Sequence, residues 1–305
     1  MLNVFLSILP IFLLIVLGYL SKLYVKDVAV FWGFSDKFVY YLFFPALLIL
    51  DISEADFSGA DSFYPVVATI VSTLAIALII FVGKLFFNTS ADLFTSIFQG
   101  GVRYNSYVFI ALSQSLFGSE GVALSGFFVA YMIILTNIMS VLVMNHYGTG
   151  SKKSLSGALL ALTKNPLIIG ALFGVLMNLC NLHITGALKQ LFVYLSNAAT
   201  PLSLMSVGAG LIVSMHIRKL VSISYATVLK LVAMPLITIA LVHYFGATGV
   251  PASIAILYSA VPCAGNAYIL ARQMGGDHEA MASIITWTTL LSVITVTFIL
   301  GSVAL

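Results

Sequence analysis

The sequence predicts an all-α integral membrane protein, with ten transmembrane helices in two five-helix halves of opposite orientation. Three observations carry that expectation. First, of 305 residues 61% are hydrophobic and only 8% charged, where soluble domains carry about 25% charged residues. The mean hydropathy of +1.12 agrees. Second, ten stretches approach or exceed the roughly 20 apolar residues that cross a bilayer. Third, the basic residues between those stretches fall almost wholly on one side.

The stretches are taken in order. Residues 2–23 lack a basic start and a small-residue cleavage site, so they are expected to span rather than be removed as a signal. Residues 32–52 contain Pro45, which removes a backbone donor and is expected to kink the helix. Residues 62–87 form the third. The fourth, 93–117, carries Gln99-Gly-Gly-Val-Arg-Tyr-Asn-Ser106 near its middle. The fifth is 121–145, followed by the polar loop Gly148-Thr-Gly-Ser-Lys-Lys-Ser154. The sixth, 158–182, is entered through Lys164-Asn-Pro166. The seventh, 184–215, is long enough to tilt and holds Pro201. The eighth, 221–245, holds Pro235. The ninth, 250–274, is interrupted by Pro262 and Gly265, and the tenth is 280–305. The expected division is a first repeat at 1–147, a cytoplasmic loop at 148–157 and a second repeat at 158–305.

Charge fixes the orientation. With the N-terminus outside, the cytoplasmic loops and helix ends hold Lys22, Lys26, Lys37, Lys84, Lys152, Lys153, Lys164, Arg218, Lys219, Lys230 and Arg272. The outside holds Lys189 alone, and one outer connection carries Asp51, Glu54, Asp56 and Asp61. That is the positive-inside pattern, and it puts both termini outside. A repeat with an odd number of helices must insert its second copy upside down. Inverted repeats with interrupted helices in corresponding places point to a transport site at their interface. The turns Leu116-Phe-Gly-Ser-Glu-Gly121 and Gln273-Met-Gly-Gly-Asp-His-Glu279 follow the interrupted segment in each half.

Several classes of function are disfavoured. The basic residues are scattered among short loops, so nucleic acid is not an expected partner. Cys180 and Cys263 are far apart and form no metal or redox motif. The five histidines lack metal-ligand spacing, and no metal or cofactor is expected. Every carboxylate is expected at a loop or helix end. Coupling to an ion, H+ or Na+, would then need another group, a loop-end acid or the charge of the substrate.

The interruptions carry the candidate site. A helix opened at Pro262 and Gly265 frees backbone groups at a depth where lipid cannot satisfy them, which is tolerated only in protein or beside a wet cavity. Asn266 adds two donors and an acceptor there. Arg103 lies ten residues past Leu93, about 15 Å along a helix, and is expected to be the only basic residue deep in a span. An intramembrane charge marks a functional site by default. Arg103 has two readings, an anion-binding fork or a cap on the carbonyls of the broken helix. Asn105 and Asn266 either face the crossing point and bind substrate or ion, or tie neighbouring helices together; on the first reading they and Ser106 hydrogen-bond the substrate. Asn137 with Thr136, and Asn197 with Thr200 and Pro201, either line the site or tie helices together. The expected breaks and hinges are Pro45, Gly100, Gly101, Pro201 and Pro262.

The motifs Phe43-Phe-Pro-Ala-Leu47, Arg103-Tyr-Asn105, Leu116-Phe-Gly-Ser-Glu-Gly121, Lys164-Asn-Pro-Leu-Ile-Ile-Gly170, Ala198-Ala-Thr-Pro-Leu-Ser-Leu204, Gly208-Ala-Gly-Leu211 and Pro262 to Asn266 run in order along the chain. In this the sequence resembles the auxin efflux carrier family, in its short-looped bacterial branch of malonate and other carboxylate permeases. The resemblance implies two inverted five-helix repeats, broken helices four and nine that cross, and elevator-like movement of one helix group against a scaffold. It points to Asn105 and Pro262–Asn266 as crossover residues. Where a proline is expected at the helix-four crossover this chain has Ser106, which leaves Gly100-Gly101 as the alternative break. It also implies a homodimer. The expected function is a secondary carrier of a small organic anion, a carboxylate, across a bacterial inner membrane. A ligand-sensing receptor or a channel on a carrier fold is the alternative. An enzyme would need an acid–base pair or metal cluster at membrane depth, and the sequence offers none.

Overall fold

The computed structural model describes residues 2–25, 27–55, 62–86, 89–150, 154, 156–157, 160, 163–212 and 219–302. Lys26, Asp56, Asp61, Lys152, Lys153 and Arg218 lie outside the described residues, as do 151–153 and 155 of the central loop. The described residues are helical, with no strand among them. The helices are α1 (Leu2–Tyr24), α2 (Val28–Phe38), α3 (Phe44–Glu54), α4 (Phe63–Phe86), α5 (Ala91–Val102), α6 (Ser106–Tyr147) and α7 (Pro166–Leu179). They continue as α8 (Gly186–Gly210), α9 (Leu220–Val228), α10 (Met234–Tyr244), α11 (Gly249–Ala260), α12 (Ala267–Met274) and α13 (His278–Ser302). Among the described residues, 7 helical stretches are long and apolar enough to cross a membrane. Large apolar side chains such as Leu13, Leu17, Leu78 and Ile294 lie exposed on them, as suits helices whose outer face meets lipid.

Local sequence explains where helices start, widen and fold back. Asn165 caps α7, accepting from the Leu167 amide at 2.9 Å, and Pro166 occupies a first-turn position where its missing N–H costs nothing. The predicted stretches 32–52 and 221–245 each contain a π turn, Val39–Phe43 and Leu229–Ala233, followed at once by a helix with Pro45 or Pro235 in its first turn. The wide turn absorbs the missing donor of the proline, so the helical run passes through instead of ending. Pro45 is therefore not a break, and Pro201 lies inside the uninterrupted α8.

Gly118 has φ 60° and ψ −144°, a region essentially restricted to glycine. The carbonyl of Ser113 comes against the Cα of Gly121, although eight residues of straight helix would separate them by about 12 Å. The chain therefore doubles back within α6, where the Leu116–Gly121 turn is predicted.

Packing divides the helices into two groups. In the first, α1 lies along α8, and α3 packs on α7 and α8. The α1–α8 backbones touch: a Cβ on Gly18 would collide with the backbone of Met205, and one on Gly208 with that of Ile15. In the second group, α4 packs on α5, α10 and α11, and α5 packs on α6, α9 and α13. The groups meet where α1 packs on α13 and where α3, α1 and α7 pack on α6. There Phe44 stacks on Tyr107 at 4.8 Å.

Two charged residues depart from the predicted placement. Asp36 sits eight residues into the stretch Val28–Glu54, not at its edge, and its carboxylate accepts from the Ser206 hydroxyl of α8. Lys230, expected at a cytoplasmic helix end, is 0% exposed inside the π turn of 229–233. Arg103 is therefore not alone as a deep cation.

Candidate functional site

Two helix breaks meet in the second group. Helix α5 ends at Val102, and Arg103 turns extended, φ −81° and ψ 153°. Helix α11 ends at Ala260, and Val261 turns extended with φ −70° and ψ 153°. The second break is legible locally, because the residue before a proline is pushed out of helical geometry by the ring. The first has no proline. Asn105 supplies the signal instead: its Oδ1 accepts from the amides of Tyr107 and Val108 at 3.1 and 3.2 Å and caps α6. The break is thus set by the restart of α6 at Ser106. Gly100 and Gly101 are not its hinge: both are helical residues of α5, with Ile284 and Ile80 packed against their bare Cα atoms.

The freed backbone groups satisfy one another. The Asn105 amide donates to the Pro262 carbonyl at 2.9 Å. The Cys263 amide donates to Thr288 Oγ1 at 3.2 Å, and the Cys263 thiol reaches the Gln99 carbonyl at 3.7 Å. This is how interrupted helix survives at membrane depth.

Arg103 lies at the junction, 6% exposed. Its Nη2 donates to Asn137 Oδ1 at 2.9 Å and to Asn266 Oδ1 at 3.1 Å, and its Nη1 to Gln99 Oε1 at 3.3 Å. The structure therefore brings Arg103, Asn137 and Asn266 onto one fork, and adds Gln99, which the sequence did not single out. Every acceptor is a neutral amide, and no carboxylate pairs with Arg103 among the described residues. A buried cation held only by neutral groups leaves its charge uncompensated. The N-terminal ends of α6 and α12 also face the junction, and such ends favour negative charge.

One side of this arrangement is open. Pro262 is buried, while Gly265 and Asn266 are exposed, and a Cβ on Gly265 would meet nothing within 4 Å. Ser106, half-buried, stands at the first position of α6. Thr136 donates back to the Met132 carbonyl at 2.8 Å, the helix-internal role. Thr200 bridges from α8 to Gln114 of α6 at 2.8 Å, and Asn197 points outward. Pro45 and Pro201 belong to the other helix group. A cavity of about 180 Å³ lies elsewhere, between α4, α5 and α9, with Lys84 and Tyr225 in its wall.

Lys230 is the second deep cation. Its π turn packs on α5, α11 and α13, the elements that frame the breaks. Its Nζ lies 3.3 Å from Met234 Sδ and 5.5 Å from the ring centre of Tyr258. Tyr258 in turn contacts Tyr104 at 4.7 Å between ring centres, and the Tyr104 hydroxyl is buried without a hydrogen-bond partner among the described residues. Cys263 lies within electrostatic range of both Arg103 and Lys230. Depth alone marks Lys230 in the sequence: nine residues after position 221 is about 14 Å of helix.

Comparison with known proteins follows the same lines. The model of the family described as "Membrane transport protein" matches residues 3–300. A protein of Rhizobium meliloti named "Putative malonate transporter" is 27% identical over 305 residues, covering 96% of this chain and 93% of that protein. An "Uncharacterized transporter" of Methanothermobacter thermautotrophicus is 23% identical over 294 residues, covering 94% of each. With a long apolar helical body, two helix breaks joined at a buried arginine and a family match across nearly the whole length, the chain belongs to the membrane transport protein family, that of the auxin efflux carriers.

Proposed function

We propose that this transport protein is a secondary active carrier of a small organic anion, a carboxylate, working by alternating access. The observation that carries the proposal is the Arg103 fork, buried where two helix breaks meet and engaged only by the neutral oxygens of Gln99, Asn137 and Asn266. A carboxylate entering past Gly265 would replace one or more of these amides with a charged acceptor. Charge-assisted bidentate bonds of that kind are about twice as strong as neutral ones. Asn105 and Pro262 hold the breaks together, and Ser106 and Asn266 supply hydrogen bonds. The Rhizobium meliloti protein named "Putative malonate transporter", similar along nearly the full length, makes malonate and its homologues the first compounds to test.

Ten crossings in two inverted halves, 1–147 and 158–305, fit the doubling back at Gly118 and the split of 250–274 into α11 and α12. The two packing groups suit an elevator motion in which α4–α6 and α9–α13 carry the site against α1–α3, α7 and α8. In this arrangement both termini face the periplasm of a bacterial inner membrane, and the carrier works as a homodimer in the lipid bilayer. The test is a thermal-shift screen of the detergent-purified protein against mono- and dicarboxylates, malonate included, with uncharged analogues. A ligand bound to the folded state raises stability by mass action. A saturable shift with an anion, lost in Arg103→Gln, supports the carrier. A shift with neutral compounds alone overturns the anion assignment.

A further inference from the structure

We infer that Lys230 is the proton-coupling group of this carrier: its amine takes up a proton when a dianion enters the junction and releases it when the dianion leaves. The inference rests on the anion-carrier reading and goes beyond it by naming the coupling ion and the residue that holds it.

Three features lead there. The first is position. Lys230 is 0% exposed and sits in a π turn packed on the helices that frame both breaks. Such turns concentrate at functional sites. The second is the inventory around Nζ. A lysine ammonium has three donors and needs acceptors for them. Lys230 has the Met234 thioether at 3.3 Å and the face of Tyr258 at 5.5 Å. A thioether is a weak acceptor.

The third feature is what faces it. The π turn packs on α5, whose end carries Arg103, a like charge, and Tyr104 beyond it packs on Tyr258. From α11 and the break beyond it come Tyr258 and Cys263. The acidic Asp92 of α5 is eleven residues before Arg103, and Glu279 of α13 lies at that helix's far end. From its middle, α13 offers no charged or titratable side chain, its buried polar groups there being hydroxyls such as Thr288 and Ser292. No carboxylate faces Lys230 among the described residues. A charged Lys230 would therefore be desolvated with no anion among the described residues to compensate it.

The empty site is consequently most stable with Arg103 charged and Lys230 neutral. A monocarboxylate balances Arg103 alone. A dicarboxylate dianion leaves one negative charge over, and a proton on Lys230 neutralises it. Anion and proton then bind with reciprocal coupling. Transport of a dianion becomes symport with one proton, with no embedded carboxylate required.

The experiment is calorimetric titration of the purified protein with malonate near neutral pH, in buffers of different ionisation enthalpy. The difference between buffers reports protons taken up. Acetate serves as the monocarboxylate control. The wild type is expected to take up about one proton per malonate and none with acetate. Lys230→Arg stays charged and Lys230→Met stays neutral, so each is expected to bind malonate without proton uptake, the methionine variant about tenfold more weakly. Both are checked for folding by gel filtration and thermal unfolding, and either one alone decides the matter. Undiminished proton uptake in a folded variant overturns the inference, as does malonate binding to the wild type with no proton. In those cases the carrier reading stands. Failure of any organic anion to bind the wild type overturns both.

Discussion

The amide of Asn105 donates to the carbonyl of Pro262 at 2.9 Å, so the two helix breaks are joined through backbone as well as through the side chains of Arg103 and Asn266. The backbone bond leaves the Asn105 side chain for another task. Asn105 uses its oxygen to cap α6. Arg103 and Asn266 use theirs on each other at 3.1 Å.

Removing the cap should therefore weaken the fold without opening the junction. Asn105→Ala is expected to lose about 1 kcal/mol of stability, read as a lower thermal midpoint in detergent. Asn105→Ser keeps a neutral capping oxygen and should lose less than Asn105→Ala. If the two variants unfold alike, the cap is not what Asn105 contributes.

Arg103→Lys separates charge from geometry. Lysine keeps the positive charge but lacks the planar fork that reaches Asn137, Asn266 and Gln99 together. Carboxylate binding is expected to weaken about tenfold or more, measured as the shift in half-saturating concentration. Asn266→Ala removes one partner at the exposed side and should weaken binding while the protein still folds. An unchanged half-saturation in both variants would leave Arg103 as a cap on its own helix.

Much of this was legible in the sequence, and the misses share a cause. Pro262 announces its break because proline acts on its own backbone and its neighbour's. Asn137 joins the fork from 34 residues away, a contact that no local pattern encodes. The break at Arg103 was legible only in part: Gly100-Gly101 weakens a helix in isolation, but tertiary packing of Ile80 and Ile284 on those residues favours keeping them helical. For Lys230 and Asp36 the sequence predicts helix ends, because charge is expected there. A π turn holds one of them inside the bundle and a serine of α8 pairs with the other.

Gly118 tests the reversal in α6. Its φ of 60° and ψ of −144° are poorly available to any residue with a Cβ, although nothing lies within 4 Å of where that Cβ would stand. Gly118→Ala is therefore expected to cost about 1–3 kcal/mol through backbone strain alone. Thermal unfolding checks it. A neutral effect would mean that the turn relaxes into a helical or bridge conformation.

Lys219 closes the far end of the second helix group and should make stability depend on alkaline pH. Its Nζ lies 2.7 Å from Asp277 Oδ2 and 3.3 Å from Glu279 Oε2. Asp277 is also fixed by its backbone: its amide donates to Asp92 at 3.1 Å, its carbonyl accepts from Ser96 at 2.8 Å, and its Oδ1 caps α13 through the Ala280 amide at 3.0 Å. Burial disfavours the charged amine, but the hydrogen bonds and charges of Asp277 and Glu279 outweigh it, so Lys219 titrates above the ordinary lysine value of 10.5. A pKa raised by folding contributes stability that is complete below the unfolded value and is lost as pH rises through the folded one. Lys219→Met should therefore unfold at a lower temperature than wild type near neutral pH. The gap should stay constant up to about pH 10 and narrow above it as the wild-type amine loses its proton. Thermal midpoints of the two proteins across that range decide the point. A gap that persists unchanged at the alkaline end would assign the loss to packing of the lysine stem, not to its charge.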